Sequence, residues 1–227
     1  MRVVRGRHPS LAADRAATAT LADTAAETGE AVVRAWVPHR HVAFGRRDAR
    51  SEGYDRARAA AGRLGYQSIE RSVGGRAVVY TGRTIAFARA EPTDSLRTDI
   101  DERYGAAREA VEAALESLGA DLREGEPPDA FCPGSHSLQG DGKVAGLAQR
   151  VRQDAAVVAG VVVVADPAAV ATVLDPVYAA LGVPFDPDSV GSVAGSGGPS
   201  DPVAVARTVE RGLVGDRDAT VVHVRDT

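Results

Sequence analysis

Apolar positions recur along this chain at two spacings, one helical and one alternating, and they divide it into a series of short elements. Ser10 caps a helix predicted to run to about Thr28, where Gly29 stops it. Ala31 to Val37 reads as a strand closed by Pro38, and His41 to Phe44 as a shorter one ending at Gly45. Tyr54 to Leu64, rich in Ala and Arg, reads as a second helix stopped by Gly65. Tyr66 to Arg71 alternates as a strand. A glycine turn then feeds a strand ending at Tyr80, and Thr84 to Arg89 alternates again, which predicts a hairpin about Thr81, Gly82 and Arg83. Asp99 to Leu118 is the clearest helix, with Tyr104, Val111, Leu115 and Leu118 on one face. Residues 121 to 142 read mostly as loop, broken by Pro127, Pro128 and Pro133.

Downstream, Lys143 to Gln149 and Ala155 to Val164 read as paired strands. The second is almost continuously apolar, as expected of a strand covered on both faces. Helices are expected from Pro167, Pro187 and Asp201, and a last strand from Thr220 to Val224. Gly191 to Ser200, with four glycines and a proline, reads as a flexible connector. The sequence shows no internal repeat. The expected architecture is α+β, a mixed and mostly antiparallel sheet covered by helices. Residues 1–165 form the expected catalytic domain, and 166–227 a small C-terminal helical extension ending in a strand and packed on it.

Composition narrows the function. Ala and Val supply 73 of the 227 residues, so the core is built from small side chains and close backbone contacts. The net charge of −4 argues against a dedicated nucleic-acid binder. The lone cysteine, Cys132, excludes an internal disulfide and any zinc site needing two cysteines. No apolar run reaches the roughly 20 residues of a membrane span, and the first residues carry no signal-peptide pattern, so a cytoplasmic protein is expected. One lysine, Lys143, stands against 26 arginines. Chemistry that needs a side-chain amine therefore has one candidate.

Three segments carry candidate chemistry. In Arg71-Ser-Val-Gly-Gly-Arg76, adjacent glycines let the backbone approach a ligand and expose N–H donors, and the flanking arginines suit a carboxylate or phosphate. The glycine pair alone is most simply a β-turn with solvated arginines. In Asp141-Gly-Lys-Val-Ala-Gly-Leu-Ala-Gln149, alternation puts Lys143, Ala145 and Leu147 on one face and Val144, Gly146 and Ala148 on the other, with small residues leaving room for a bound chain. An ordinary lysine is a solvated surface charge; here arginine fills that role almost everywhere else. In Cys132-Pro-Gly-Ser-His-Ser137, the cysteine is either a small buried hydrophobe or a thiolate nucleophile, with His136 four residues away as a possible base. His39 and His41 lack an evident third ligand and read as polar residues on a strand edge rather than a metal site.

Taken in order, these segments resemble the biotin/lipoate protein ligase catalytic-domain superfamily. Its pattern is Arg-x-Ser/Thr-Gly-Gly-x-Ala-Val-x-His, followed some 60 to 80 residues later by a Lys-x-x-Gly-x-Ala-Gln strand. The chain reads Arg71-Ser-Val-Gly-Gly-Arg-Ala-Val-Val-Tyr80 and Lys143-Val-Ala-Gly-Leu-Ala-Gln149, departing from the pattern at Val73 and Tyr80. The Gly-Gly-Arg block and the cysteine loop look more like the cysteine-dependent octanoyltransferases than the ATP-dependent lipoate ligases. The resemblance covers roughly residues 10 to 165.

It implies attachment of an octanoyl or lipoyl group to a lysine of a lipoyl domain, of a 2-oxoacid dehydrogenase or the glycine cleavage H protein. Lys143 and Cys132 would be catalytic, with Cys132 carrying the acyl group as a thioester. Arg71, Ser72, Gly74, Gly75, Arg76, Ala77, Gly146 and Ala148 would bind substrate in an elongated apolar tunnel. The transferase reading needs no cofactor. The alternative, a lipoate–protein ligase working through lipoyl-adenylate, needs ATP and Mg²⁺. A third possibility is a non-catalytic relative that only binds an acyl chain or a lipoyl domain. Neither nucleic acid nor membrane is an implied partner, and no resident metal is implied in the transferase case.

Overall fold

A computed structural model describes residues 1–71, 74–94 and 100–226. Two sheets organise it. The larger has eight strands: β1 (Arg2–Arg5), β2 (Val32–Trp36), β6 (Thr84–Pro92), β7 (Arg123–Glu124), β8 (Ser137–Gln139), β9 (Lys143–Val151), β10 (Ala155–Val163) and β11 (Thr220–His223), in the order β11-β1-β2-β6-β10-β9-β8-β7. The smaller sheet has the order β4-β3-β5, from β3 (His41–Phe44), β4 (Gln67–Glu70) and β5 (Val78–Tyr80). Pairing is antiparallel except for β1 with β11 and β2, and β3 with β4. The α+β, mostly antiparallel architecture expected from the sequence is the one observed.

The helices are α1 (Leu11–Ala19), α2 (Leu21–Thr28), α3 (Tyr54–Arg63), α4 (Ile100–Glu116), α5 (Pro167–Leu181) and α6 (Pro202–Val214). β10 is central because both its faces are covered, which is why its sequence does not alternate. Val161 and Val163 pack with α5, Val162 packs toward α4 and α6, and Val157 and Ala159 lie against the layer under α2. The small side chains predicted for the core permit close approach. A Cβ on Gly212 of α6 would sit 2.7 Å from the Ala110 carbonyl of α4. None of the helices of the described residues is long and apolar enough to cross a membrane.

Several sequence expectations are corrected. The first helix breaks at Thr20, whose N–H and hydroxyl both bond back, to the carbonyls of Ala16 and Ala17, and so end α1. The expected hairpin at Thr81–Arg83 is a crossover between sheets: β5 pairs with β3, and the nine-residue β6 finds longer partners in β10 and β2. Residues 121 to 142 are mostly loop, as expected, and also carry the short strands β7 and β8. Pro187 starts only a 3-10 turn, Pro187–Ser189. The glycine-rich stretch from Gly191 is packed rather than flexible. Val193 and Ala194 donate backbone bonds to the carbonyls of Val163 and Val164, and Ser192 donates to Asp141. Its glycines serve close approach: a Cβ at Gly191 would meet the Asp141 carboxylate at 2.6 Å. Asp99, where the long helix was expected to begin, falls outside the described residues.

Candidate active site

β9 enters the site through a register shift against β8. Gln139 pairs with Lys143, but Leu138 pairs with Ala145, two residues along instead of one. This bulge overturns the simple alternation expected for the strand. Ala145 and Leu147 face the core under α4 and α6, while Lys143 folds over Gly146. A Cβ on Gly146 would lie 3.2 Å from Lys143 Cε, so the missing side chain makes the bed for the lysine. Lys143 is fully buried. Its ammonium donates to Glu126 Oε2 at 2.5 Å and to the Cys132 carbonyl at 2.8 Å, and lies 5.1 Å from the centre of the Phe131 ring.

Glu126 was not anticipated from the sequence. Its carboxylate also accepts from Ser137 Oγ at 2.8 Å and from the Gly134 N–H at 2.9 Å, so one acid ties the lysine to the cysteine loop. The available signal was physical: a buried lysine needs a counter-charge.

Cys132 is half-buried, with φ 45°, a left-handed conformation that only an over-determined loop imposes on such a residue. Two contacts do so. Its N–H donates to the Tyr178 hydroxyl at 2.6 Å, and that hydroxyl donates to the Ala77 carbonyl at 2.9 Å. Tyr178, on α5, was likewise missed by sequence reasoning. Burial keeps its phenol protonated well above the usual range. The sulfur takes a hydrogen bond from Arg71 at 3.1 Å, and the same Arg71 nitrogen donates to the Arg76 carbonyl at 2.6 Å. His136 is turned to another partner, its ring stacked on Tyr104 at 4.0 Å, while the Tyr104 hydroxyl accepts from the Gln149 N–H.

The glycine block is built around the cysteine. Gly75 has φ 91°, and a Cβ there would lie 2.5 Å from Cys132 Sγ and 2.6 Å from the Arg71 guanidinium. The concavity that the sequence suggested for an anion is thus filled by sulfur and guanidinium. Gly74 has open space where its Cβ would be. Arg76 turns away to Asp48, 3.0 Å distant, and Asp48 also accepts from the Gly45 N–H. Ala77 contributes its carbonyl. Ala148 pairs with Ala159 in the sheet and is not brought to the cysteine. Ser72 and Val73 fall outside the described residues.

Arg71 and Tyr80 also stand at one end of a cavity of about 390 Å³ between α1, α2 and the two sheets. Ala22, Ala43, Ala88, Val157 and Gly160 are among its apolar lining, and Asp14, Trp36 and His41 add polar groups. His41 is not an edge residue. It is buried in the middle strand of the smaller sheet, stacked on Tyr80 at 4.7 Å, and burial lowers its pKa to about 4. Tyr80 is pushed up by burial, against the opposing pull of Arg71. A hydroxyl that stays protonated beside a guanidinium makes this end of the cavity a hydrogen-bond-donating one.

Fold and site together define an α+β domain that sets a buried lysine beside a half-buried cysteine, whose sulfur is held by an arginine that also lines a cavity. Residues 10–184 match the lipoyl protein ligase A/B catalytic domain, and the chain belongs to that family. It is 34% identical over 122 residues to an octanoyl-[GcvH]:protein N-octanoyltransferase of Geobacillus kaustophilus, a match covering 53% of this chain and 43% of that protein. A lipoyl-[GcvH]:protein N-lipoyltransferase of Listeria monocytogenes is 27% identical over 126 residues, 55% of this chain and 45% of the relative. The matched segment thus spans less than half the length of these relatives. Among solved structures, a lipoate-protein ligase A bound with ATP superposes with a TM-score of 0.75 at 20% identity, over 97% of this chain and 88% of the other. A putative lipoate protein ligase from T. acidophilum with bound lipoic acid gives 0.74 at 19% identity, over 98% and 88%. These likenesses establish the fold.

Proposed function

We propose that this chain attaches an octanoyl or lipoyl group to the acceptor lysine of a lipoyl domain by transfer through a Cys132 thioester, in the cytoplasm. The observation that carries it is the Arg71 guanidinium on the Cys132 sulfur, with Gly75 stripped of a side chain to let both in. A guanidinium at hydrogen-bond distance stands where charge develops on the sulfur as the thioester forms and breaks. The names of the relatives, octanoyl- and lipoyl-[GcvH]:protein transferases, support glycine cleavage H protein as donor or acceptor.

In this reading the thiolate attacks the carbonyl of the acyl donor. Lys143 lies one hydrogen bond from the cysteine loop and stabilises the oxyanion that develops. The donor's leaving group takes a proton from solvent as it departs. The acceptor amine then attacks the thioester, the carbon–sulfur bond breaks, the sulfur leaves as thiolate and the amine's proton returns to solvent. The cavity of about 390 Å³ holds the acyl chain. Arg71, Gly75, Tyr80 and Gly146 shape the reacting end.

No cofactor is required. An ATP-driven ligation would leave Cys132 without a role, although Arg71 and Gly75 are arranged around its sulfur. Replacement of Cys132 by Ser separates the two chemistries. Incubation with an acyl donor and an apo lipoyl domain, followed by intact mass, should show an acyl-thioester on the parent chain and loss of transfer by C132S. Full activity of C132S with ATP and free lipoate would establish ligation instead.

A further inference from the structure

We propose that Glu126 protects the enzyme from itself: it holds the side chain of Lys143 as an ammonium, and without it Lys143 would take the acyl group from Cys132 as a permanent amide. The inference rests on the thioester reading above. Three observations lead to it. Lys143 is the chain's only lysine and is wholly buried. Its nitrogen lies 2.8 Å from the carbonyl of the same residue whose sulfur would carry the acyl group. The carboxylate that neutralises it is Glu126, at 2.5 Å.

A buried ammonium deprived of its counter-charge gives up its proton, because the neutral amine loses far less hydration on burial. The neutral amine is a nucleophile. It would bond to the acyl carbon of the thioester, the carbon–sulfur bond would break, and the proton shed by nitrogen would go to the Cys132 thiolate. The product is an N-acylated Lys143 beside a free thiol. It is irreversible under the conditions of catalysis and removes the oxyanion-stabilising charge.

The charged and titratable groups around the ammonium leave this duty to Glu126. Cys132 contributes its carbonyl, with Arg71 on the far side at the sulfur. Phe131 and Ser137 are uncharged. The neighbouring backbone from Val190 bridges to Lys143 without charge. Asp141, two residues before, is turned to Ser192 and Ser196. A single-lysine chain also makes the damaged product unambiguous to locate.

The test uses the full chain without acceptor, supplied in turn with octanoyl-coenzyme A and octanoylated H protein, then treated with hydroxylamine and read by intact mass and peptide mapping. On the parent the octanoyl increment should be hydroxylamine-labile and sit on Cys132. On Glu126→Gln a resistant increment should accumulate on Lys143 at least about ten-fold faster than in the parent, a rate ratio worth about 1.4 kcal/mol. It should accelerate with pH and be absent from the double variant with Lys143→Arg. An E126Q acyl-enzyme as labile as the parent's overturns the inference while leaving the thioester reading intact. A parent that never gains an increment on Cys132 overturns the thioester reading, and this inference with it. Should E126Q fail to fold, the parent carries the test. Glu126→Asp, which keeps the acid and shortens its reach, then joins it: a resistant increment mapped to Lys143 that forms faster in E126D than in the parent supports the inference, and one that forms no faster overturns it.

Discussion

Arg34 and Lys143 are both fully buried, and each lies 2.5 Å from a carboxylate oxygen, yet the two pairs are built for different ends. The two terminal nitrogens of Arg34 on β2 are held by fixed protein groups, the Asp14 carboxylate and carbonyl, the Thr18 hydroxyl and the Gly6 carbonyl, with the Trp36 ring 4.1 Å away, while its buried Nε has no partner. Asp14 in turn accepts from the His8 N–H and Trp36 Nε1. Every partner belongs to β2, α1 or the segment just before α1, so the pair staples α1 to the sheet. Lys143 instead shares its acid with a loop residue and a hydroxyl, and its acid is partly exposed. One pair is held wholly by fixed groups of neighbouring elements. The other keeps a compact charge beside a reactive atom. Depth of burial therefore does not separate a structural charge from a chemical one; the nature of the partners does.

The contrast can be broken at its two ends. Removing one partner of a buried ion pair leaves a bare charge, so Arg34→Ala should cost about 3–5 kcal/mol. The measurement is the urea midpoint, and a loss under about 1 kcal/mol would show the staple to be dispensable. Lys143→Arg keeps the charge but replaces a compact ammonium with a larger planar fork. It should lose about 10²–10³-fold in the rate of acyl transfer, the scale of one lost oxyanion donor. Activity near that of the parent would remove Lys143 from the mechanism. The smallest effect concerns a third buried group. His41 has its pKa lowered to about 4 in the folded state. Between that value and the ordinary 6.5 the unfolded chain binds more protons, so stability falls as pH drops through this window, by up to about 3 kcal/mol. His41→Phe should flatten that part of the stability profile; an unchanged slope would assign the acid sensitivity elsewhere.

Long elements with one clear period were legible. The β10 run and the α4 face appear close to where the spacing puts them, because burial on a defined side fixes them. β1 was not legible. Its four residues carry no periodic pattern, and they become a strand only because β2 and β11 flank them from distant parts of the chain. The same limit applied to the site. Lys143, Cys132, Arg71 and the glycines stood out by residue type and spacing. Glu126 and Tyr178 did not, because their roles arise from contacts across separations of 17 and 46 residues. The alternation on β9 misled for a local reason: a bulge turned Lys143 to the face of Gly146.

The left-handed backbone at Cys132, with a second one at Asp129 (φ 51°), stores strain in the segment that presents the nucleophile. Besides the buried Phe131 ring, its outside holds are hydrogen bonds: the phenol of Tyr178, the ammonium of Lys143, the carboxylate of Glu126, the guanidinium of Arg71 and the Asp186 N–H on the Asp129 carbonyl. Such a segment opens at a lower free energy than the sheets on either side. Warming should therefore scatter the reacting atoms while the scaffold is still intact, and the working temperature of the chemistry should lie below the melting temperature of the fold.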